Sequence, residues 1–227
     1  EFRRVLFRSR RVSFIHRQLT RLNEELLKLG SRLLVYHGQP VDVWKKIIND
    51  NKVKKVFTNS DYEPYATKRD AMVAELLHSN GISFTAVKDH VIFERSEVMK
   101  DDGTPYNVYT PYMKRWRSLL KPEHLKALPS EKYFSNFNKT SAAPVMSLQE
   151  IGFREAVMDV PSLTVSDELI QHYGDLRDIP GVAGTSRLGV HLRFGTISLR
   201  ALARQSYTIS RSEEHTSELQ SHSDLVC

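Results

Sequence analysis

The chain has 227 residues, 40% hydrophobic and 26% charged, which is ordinary for a soluble globular protein of one or two domains. Its single cysteine, Cys227, excludes a disulfide framework and a cysteine-based metal site. The formal net charge of +6 favours polyanionic partners such as nucleic acid, without selecting one. No apolar run approaches the roughly 18 residues that cross a bilayer, and the first residues lack a secretory pattern. We therefore expect a cytoplasmic protein with no membrane contact.

The two ends of the chain are related at the level of codons. Arg4-Val-Leu-Phe-Arg-Ser9 can be encoded as CGT GTG CTC TTC CGA TCT. The reverse complement, AGA TCG GAA GAG CAC ACG, encodes the residues from Arg211 to Thr216. Both strings are similar to a sequencing-library adapter. We therefore expect residues 1–9 and 211–227 to be adapter-like artefacts and leave them out of the fold prediction.

Helices and strands alternate in the first half of the remaining chain. The predicted helices, from apolar residues at helical spacing, run from about Ser13 to Leu29, Val41 to Asn51 and Ala66 to Ser79. The predicted strands, from short apolar runs between turn residues, are Arg32–His37, Lys55–Thr58 and Ile82–Ala86. This alternation is typical of βαβ units and a parallel sheet.

The pattern changes after the third strand. Val91–Glu94 and Val98 are candidates for short extended pieces near the turn Lys100–Gly103. A further helix is predicted to start with Thr110 as its cap and Pro111 at its first position.

Proline marks the middle of the chain. Residues 128–164 show no sustained period and contain Pro129, Pro144 and Pro161, so we expect a linker over the surface. A helical pattern resumes at Val165.

The residues that suit a phosphate lie close together near Gly184. This glycine frees the backbone, Thr185 and Ser186 offer hydroxyl groups and a helix cap, and Arg187 adds a cation. A helix start presents free N–H groups and the positive end of its dipole, which favour an anion. From the residues alone, a capped helix without a ligand stays open as the alternative.

A second polar segment follows the strand Lys55–Thr58. Loops at the carboxyl ends of strands are where doubly wound sheets bind ligands, so Asn59 and Glu63 are candidates to face one. A simple turn with a solvated Glu63 is the alternative. Asp101 and Asp102 precede a glycine and indicate a turn, and the histidines show no metal-ligand spacing, so no metal site is predicted.

These motifs resemble the DNA photolyase/cryptochrome family. Tyr173–Gly189, followed by His191–Ser198, is similar to the start of the family's helical flavin-binding domain, and Phe57–Asp70 is similar to its antenna domain. The resemblance implies an α/β fold: an incomplete doubly wound parallel sheet at 10–127 that lacks its first two strands. The linker 128–164 and the first helices of an all-α FAD-binding domain, 165–210, would follow.

The resemblance also implies roles for individual residues. FAD would be held through its diphosphate by Thr185, Ser186, Arg187, Leu188 and Gly189, and Tyr173 would be a further FAD contact. Arg177 resembles a position that contacts the DNA backbone, and a solvated surface arginine is the alternative. Asn59 and Glu63 would face an antenna chromophore such as methenyltetrahydrofolate. No catalytic residue is assigned, because the family's lesion pocket and electron-transfer route would lie beyond residue 210.

The implied function is the light-driven splitting of cyclobutane pyrimidine dimers in damaged DNA by a monomeric, FAD-dependent lyase. This chain by itself is expected to be inactive, to bind no flavin, and to be marginally stable or prone to aggregation. A cryptochrome photoreceptor or a (6-4) photolyase would share most of the segment. A non-enzymatic nucleotide-binding α/β module is the alternative from another class.

Overall fold

The computed structural model describes residues 6–213. Residues 1–5 and 214–227, which belong to the two segments attributed to an adapter, lie outside that range. The chain divides into two compact units. One comprises the residues up to Val87 together with Pro129–Val160, and the other comprises Lys88–Leu128 together with the residues from Pro161 on. The sequence-based domain boundaries concern the intact protein and stay a prediction.

The first unit is α/β. Its described elements are β1 (Phe7–Arg8), α1 (Arg10–Lys28), α2 (Pro40–Asp50), β2 (Lys55–Asn59), α3 (Pro64–Ser79), β3 (Ser83–Val87), a 3₁₀ helix (Ser130–Asn136) and β4 (Phe153–Arg154). The three helices predicted in this part of the sequence are confirmed, with small shifts at their ends.

Local signals explain where these helices begin and end. The Ser9 side chain accepts a hydrogen bond of 3.4 Å from the N–H three residues on and so caps α1. Gly30, with φ of 71°, follows the end of α1 and allows the chain to turn away. Pro40 and Pro64 each begin a helix, where a missing N–H costs nothing.

The sheet of the first unit is a parallel pair. β2 and β3 pair in register from Lys55 with Ser83 to Asn59 with Val87, and α3 is the crossover that a parallel pair requires. One face packs on a buried cluster of Val56, Val73, Leu77 and Ile82, to which α2 and α3 add partly buried residues. On the other face, Phe57 is 67% exposed.

Two predicted extended segments are wrong. Arg32–His37 forms no strand, because a strand needs a neighbouring ladder and none of the residues from 6 to 213 supplies one. The Leu33 N–H donates instead to the side chain of Asn23, at 2.8 Å. Val91–Glu94 and Val98 form bends and turns, and Val98 is buried in the core of the second unit.

The predicted linker contains an ordered strap, residues 139–156, along α1. Asn23, which is 3% exposed, donates from its amide nitrogen to the carbonyl oxygen of Ala143 at 3.0 Å. The Ser13 hydroxyl accepts from the N–H of Ala156 at 2.9 Å. β4, within the strap, pairs in parallel with β1. Polar side chains of α1 therefore fix the structure of this segment, which the sequence pattern did not indicate.

The second unit is helical. Its described elements are α4 (Tyr109–Leu119), a 3₁₀ turn (Pro122–Leu125), α5 (Asp167–Gln171), α6 (Tyr173–Leu176), α7 (Gly189–Phe194) and α8 (Leu199–Glu213). The predicted cap at Thr110 is wrong, because the cap residue is Val108 and Thr110 lies inside α4. Pro111 is still tolerated, since the first N–H groups of a helix have no partner within it.

α8 is the central helix of the second unit. Leu202 lies in one cluster with Ile170 and Leu188, and the next residue, Ala203, lies in another with Trp116 and Val98. α8 therefore holds the helices after residue 161 against the segment 88–125. No helix between residues 6 and 213 is long and apolar enough to span a membrane.

Candidate functional site

Tyr173 and Leu188 meet on one hydrophobic cluster. Tyr173 begins α6 and is half-buried against the cluster, in which Leu188 is 2% exposed. Ile170, fully buried, lies at the same cluster and links α5 to both. The packing therefore places two of the six predicted flavin-site residues on a common support.

Gly184 lies against α6 with no room for a side chain. A β-carbon at this position would be 2.6 Å from both the Cβ and the carbonyl oxygen of Leu176. The glycine is therefore needed for a close approach of two backbones, rather than only for a free backbone. This approach anchors the start of the 185–189 segment at α6, one turn from Tyr173.

The polar members of the 185–189 segment reach solvent. Thr185, Arg187 and Gly189 are exposed and Ser186 is half-buried, beside the buried Leu188. α7 begins at Gly189 with Leu188 at the cap position and no capping side chain. The prediction that Thr185 and Ser186 supply a helix cap is therefore wrong, and their hydroxyl groups do not serve that purpose.

Arg187 has an unusual backbone conformation. Its φ is 53°, and within residues 6–213 it is the non-glycine residue that has a positive φ. A side chain in this left-handed region costs of order 1–2 kcal/mol, so such residues concentrate at functional sites and tight turns. No pattern in the sequence pointed to this feature, since arginine carries no signal for positive φ.

Arg177 contacts the ring of Tyr173. The guanidinium carbon lies 5.8 Å from the ring centroid, within the range of a cation–π contact. Arg177 also lies 3.5 Å from the carboxylate of Asp178, and its side chain is 32% exposed. Arg177, which is predicted to contact DNA, is thus oriented by Tyr173, which is predicted to contact flavin.

His191 holds α7 in place through both of its ring nitrogens. It is 2% exposed, and its Nε2 donates to the carbonyl oxygen of Pro161 at 2.8 Å. Its Nδ1 is 2.7 Å from the hydroxyl of Thr196. Both nitrogens are therefore used within the fold, and the residue supports α7 rather than facing a ligand.

Asn59 and Glu63 lie at the carboxyl end of β2. Asn59 is the last residue of the strand, Glu63 is the cap position of α3, and both are exposed. The Asp61 carboxylate accepts from the N–H of Glu63 at 3.1 Å, which closes the turn between them. Nearby, the hydrogen bond to Asp70 raises the pKa of Arg69 above its already high usual value.

The described site is not arranged to hold a metal. Between residues 6 and 213, no group of three or more histidine, cysteine or acidic residues lies close enough to bind one. Exposed hydroxyl groups, a guanidinium and a helix start instead suit a phosphate group. Such a donor set fits a ligand that carries phosphate, such as a nucleotide.

The comparison with protein families identifies the class more closely. The family profile described as DNA photolyase matches residues 1–132, which is more than half of the chain. The chain therefore belongs to the DNA photolyase family.

Similar proteins agree with this assignment. The deoxyribodipyrimidine photo-lyase of Halobacterium salinarum is 34% identical over 185 residues, which cover 76% of this chain and 38% of that protein. A bacterial class III photolyase from Agrobacterium tumefaciens has a similar fold, with a TM-score of 0.71 at 21% identity, over 93% of this chain and 46% of that one.

An archaeal photolyase from Sulfolobus tokodaii, solved with two FAD molecules, has a TM-score of 0.50 at 24% identity, over 90% of this chain and 45% of its own. The chain thus spans less than half the length of each of these three proteins. The α/β fold with parallel strands and helices is therefore a photolyase-like one.

Proposed function

We propose that this chain is part of a light-driven, FAD-dependent DNA photolyase that splits cyclobutane pyrimidine dimers. Membership of the DNA photolyase family supports the reaction class. The observation that carries the flavin site is the packing of Tyr173 and Leu188 on one cluster, with Gly184 closed onto α6. We further propose that the intact protein is a cytoplasmic monomer.

The donor set of the 185–189 segment fits the diphosphate of FAD. Thr185 and Ser186 offer hydroxyl groups, Arg187 offers a guanidinium, and the N–H groups at the start of α7 lack partners within the helix. Leu188 and Gly189 would contribute through the backbone, Leu188 because its side chain is committed to the core. Tyr173 would contact the flavin from α6.

The chain's own part in the mechanism is binding and orientation. FAD, when bound, supplies the electron chemistry that splits the dimer. The hydroxyl groups would position its diphosphate, Arg187 would offset part of its charge, and the buried cluster beneath them would support that geometry. Arg177, held against Tyr173, would contact a DNA phosphate and so orient the damaged strand without reading its sequence.

An antenna chromophore is proposed for the first unit. Asn59 and Glu63 are exposed at the carboxyl end of β2, the usual place for a ligand in such sheets. A folate such as methenyltetrahydrofolate is one candidate, and a second FAD is another, in view of the two FAD molecules in the archaeal neighbour.

The test uses the intact protein, purified with its natural flanking sequence. We expect one FAD per chain by absorbance, and repair of an oligonucleotide that contains a thymine dimer under near-ultraviolet or blue light. A Thr185→Val/Ser186→Ala variant should bind flavin at least about tenfold more weakly, because it loses two hydrogen bonds to a charged group.

Other outcomes would select the alternatives. Repair of a (6-4) photoproduct but not of a dimer would indicate a (6-4) photolyase, and bound flavin with repair of neither lesion would indicate a cryptochrome. A folded, intact protein that binds nucleotides but no flavin would overturn the proposal in favour of a nucleotide-binding module.

A further inference from the structure

His191 connects the flavin-site segment to a distant part of the second unit. Its Nε2 donates to the carbonyl oxygen of Pro161, 30 positions earlier, at 2.8 Å. A carbonyl oxygen only accepts, so Nε2 carries the ring proton and Nδ1 accepts from the hydroxyl of Thr196, at 2.7 Å. We call the hydrogen bond from His191 to Pro161 the tether.

The 185–189 segment is fixed at both of its ends. At its start, Gly184 lies against α6 with no room for a side chain. At its end, Leu188 is 2% exposed, and its carbonyl oxygen accepts from the N–H of Leu192 at 2.9 Å. Leu192 follows His191 in α7, so the tether that holds His191 also sets the position of this end.

Arg187 lies between these two fixed ends with a strained backbone. Its φ is 53°, and a conformation of this kind persists only where the surrounding structure enforces it. Release of either end would let Arg187 rotate to a negative φ, which is favoured for any residue with a β-carbon. The guanidinium and the neighbouring hydroxyl groups would then point in other directions.

We propose that His191 is a positioning residue for flavin, which through the tether holds Arg187 in the conformation that presents the diphosphate donors. The identity of the ligand rests on the proposed function, whereas the hold on Arg187 rests on the contacts of His191 and Gly184. His191 itself does not need to touch FAD, since both ring nitrogens are bonded within the fold. Its loss should lower flavin affinity by reducing the fraction of free protein whose segment is ready to bind.

Gln205 provides a matched control in the same unit. Its side-chain amide donates to the carbonyl oxygen of Val165 at 3.1 Å and to the carboxylate of Asp167 at 2.8 Å. It therefore binds nearly the same stretch of chain as the tether, but from α8 rather than from α7. Gln205→Ala should lower the stability of the second unit without releasing the 185–189 segment.

The first test is an FAD titration of the intact protein after removal of its flavin. Asparagine reaches only as far as Nδ1 and loses the tether, whereas glutamine reaches about as far as Nε2 and keeps a donor for Pro161. We expect the Kd for FAD to rise about tenfold in His191→Asn and less than about threefold in His191→Gln and Gln205→Ala. Equal weakening in His191→Asn and either of the other two variants would overturn the proposal.

A double variant separates the hold on Arg187 from a general loss of stability. Glycine adopts both signs of φ about equally, so in an Arg187→Gly background the tether changes the binding-competent fraction by only about twofold. His191→Asn should therefore raise the Kd for FAD less than about threefold there, against about tenfold in the unmodified background. An equal effect in both backgrounds would show that His191 does not act through Arg187, and the proposal would be wrong.

Amide hydrogen exchange of the 227-residue chain provides a readout without flavin. Peptides that cover residues 185–196 should exchange at least about threefold faster in His191→Asn than in the unmodified chain or in Gln205→Ala. Should His191→Asn fail to fold, Thr196→Val replaces it, since valine removes only the hydroxyl that orients the ring. Unchanged exchange in the variant used would overturn the proposal. If the intact protein binds no FAD, the proposed function fails, and exchange alone decides whether His191 holds the segment.

Discussion

The absence of a side chain at Gly184 allows the 185–189 segment to pack closely against α6. Since a β-carbon there would lie 2.6 Å from the Leu176 carbonyl oxygen, Gly184→Ala must push α6 and the 185–189 segment apart. We expect the free energy of unfolding to fall by roughly 1–3 kcal/mol, the usual cost of overpacking. Chemical unfolding followed by Trp116 fluorescence, in a Trp44→Phe background, measures this change in the second unit.

Gly181→Ala is the matched control for this prediction. Nothing lies within 4 Å of a β-carbon at Gly181, so the same added methyl group meets open space. We expect its stability to be unchanged or slightly higher, since alanine restricts the unfolded chain. Equal losses in the two variants would mean that the close approach to Leu176 is not the cause.

Substitutions of Arg187 should affect the stability of the protein and its flavin binding differently. Its φ of 53° is unfavourable for any residue with a β-carbon. Arg187→Gly should therefore leave the free energy of unfolding unchanged or raise it by up to about 1 kcal/mol. In the intact protein the same change should weaken flavin binding about tenfold or more, because a charge-assisted hydrogen bond is lost.

Arg187→Lys provides the comparison, since it keeps the strained backbone and the charge but loses the planar donor group. Flavin titration by absorbance should place it between the wild type and Arg187→Gly. A glycine variant that binds flavin as tightly as the wild type would remove Arg187 from the proposed site.

At the scale of elements, the strap 139–156 depends on a buried amide. Asn23 bonds to both the Leu33 N–H and the Ala143 carbonyl oxygen, so Asn23→Ala leaves two inward-facing polar groups without their partner. We expect a loss of roughly 1–3 kcal/mol in the first unit and faster proteolysis within the strap. Trp44 fluorescence in a Trp116→Phe background and limited proteolysis with mass spectrometry measure the two effects.

Asn51→Ala is the control at an exposed position. The Asn51 amide donates to the carbonyl oxygen of Ile47 at 3.0 Å, but in contact with water. Its loss should cost less than about 0.5 kcal/mol and leave the strap resistant to proteolysis. If proteolysis of the strap were equally fast in both variants, the burial of Asn23 would not explain how the strap is held against α1.

Elements that depend on local signals could be predicted from the sequence. Features that depend on contacts between distant residues could not. α1 to α3 follow from helical spacing, from Gly30 and from the prolines that begin α2 and α3, all of which act within a few residues. Arg32–His37 has the composition of a strand, but a strand also requires a partner, which no local pattern reveals. The hydrogen bond from Asn23 to the carbonyl oxygen of Ala143, 120 residues away, also could not be predicted from the sequence.

The site divides in the same way. The sequence indicated which residue types could hold a phosphate, and a family resemblance assigned their roles, which stay predictions. The contact of Gly184 with Leu176 and the positive φ of Arg187 depend on how α6 packs against the following loop. Spacing alone therefore assigned a helix cap to Thr185 and Ser186, which the structure does not contain.

At the scale of the whole molecule, one face of the β2–β3 sheet is left uncovered. Phe57 is 67% and Val87 43% exposed there, and within residues 6–213 no third strand joins the pair. Exposed apolar strands with open edges associate with other chains. We therefore expect this chain to self-associate with rising concentration, and Phe57→Lys to reduce that association several-fold in sedimentation or light-scattering experiments.

Tyr133→Lys is the control, because Tyr133 is 57% exposed but lies in the 3₁₀ helix Ser130–Asn136 rather than on the sheet. Equal effects of the two variants would trace the association to general charge instead of the sheet. In the proposed intact protein, both faces of a parallel sheet would be covered. Phe57→Lys should then destabilise the intact protein by burying a cation, so that one substitution improves the behaviour of this chain and harms that of the whole.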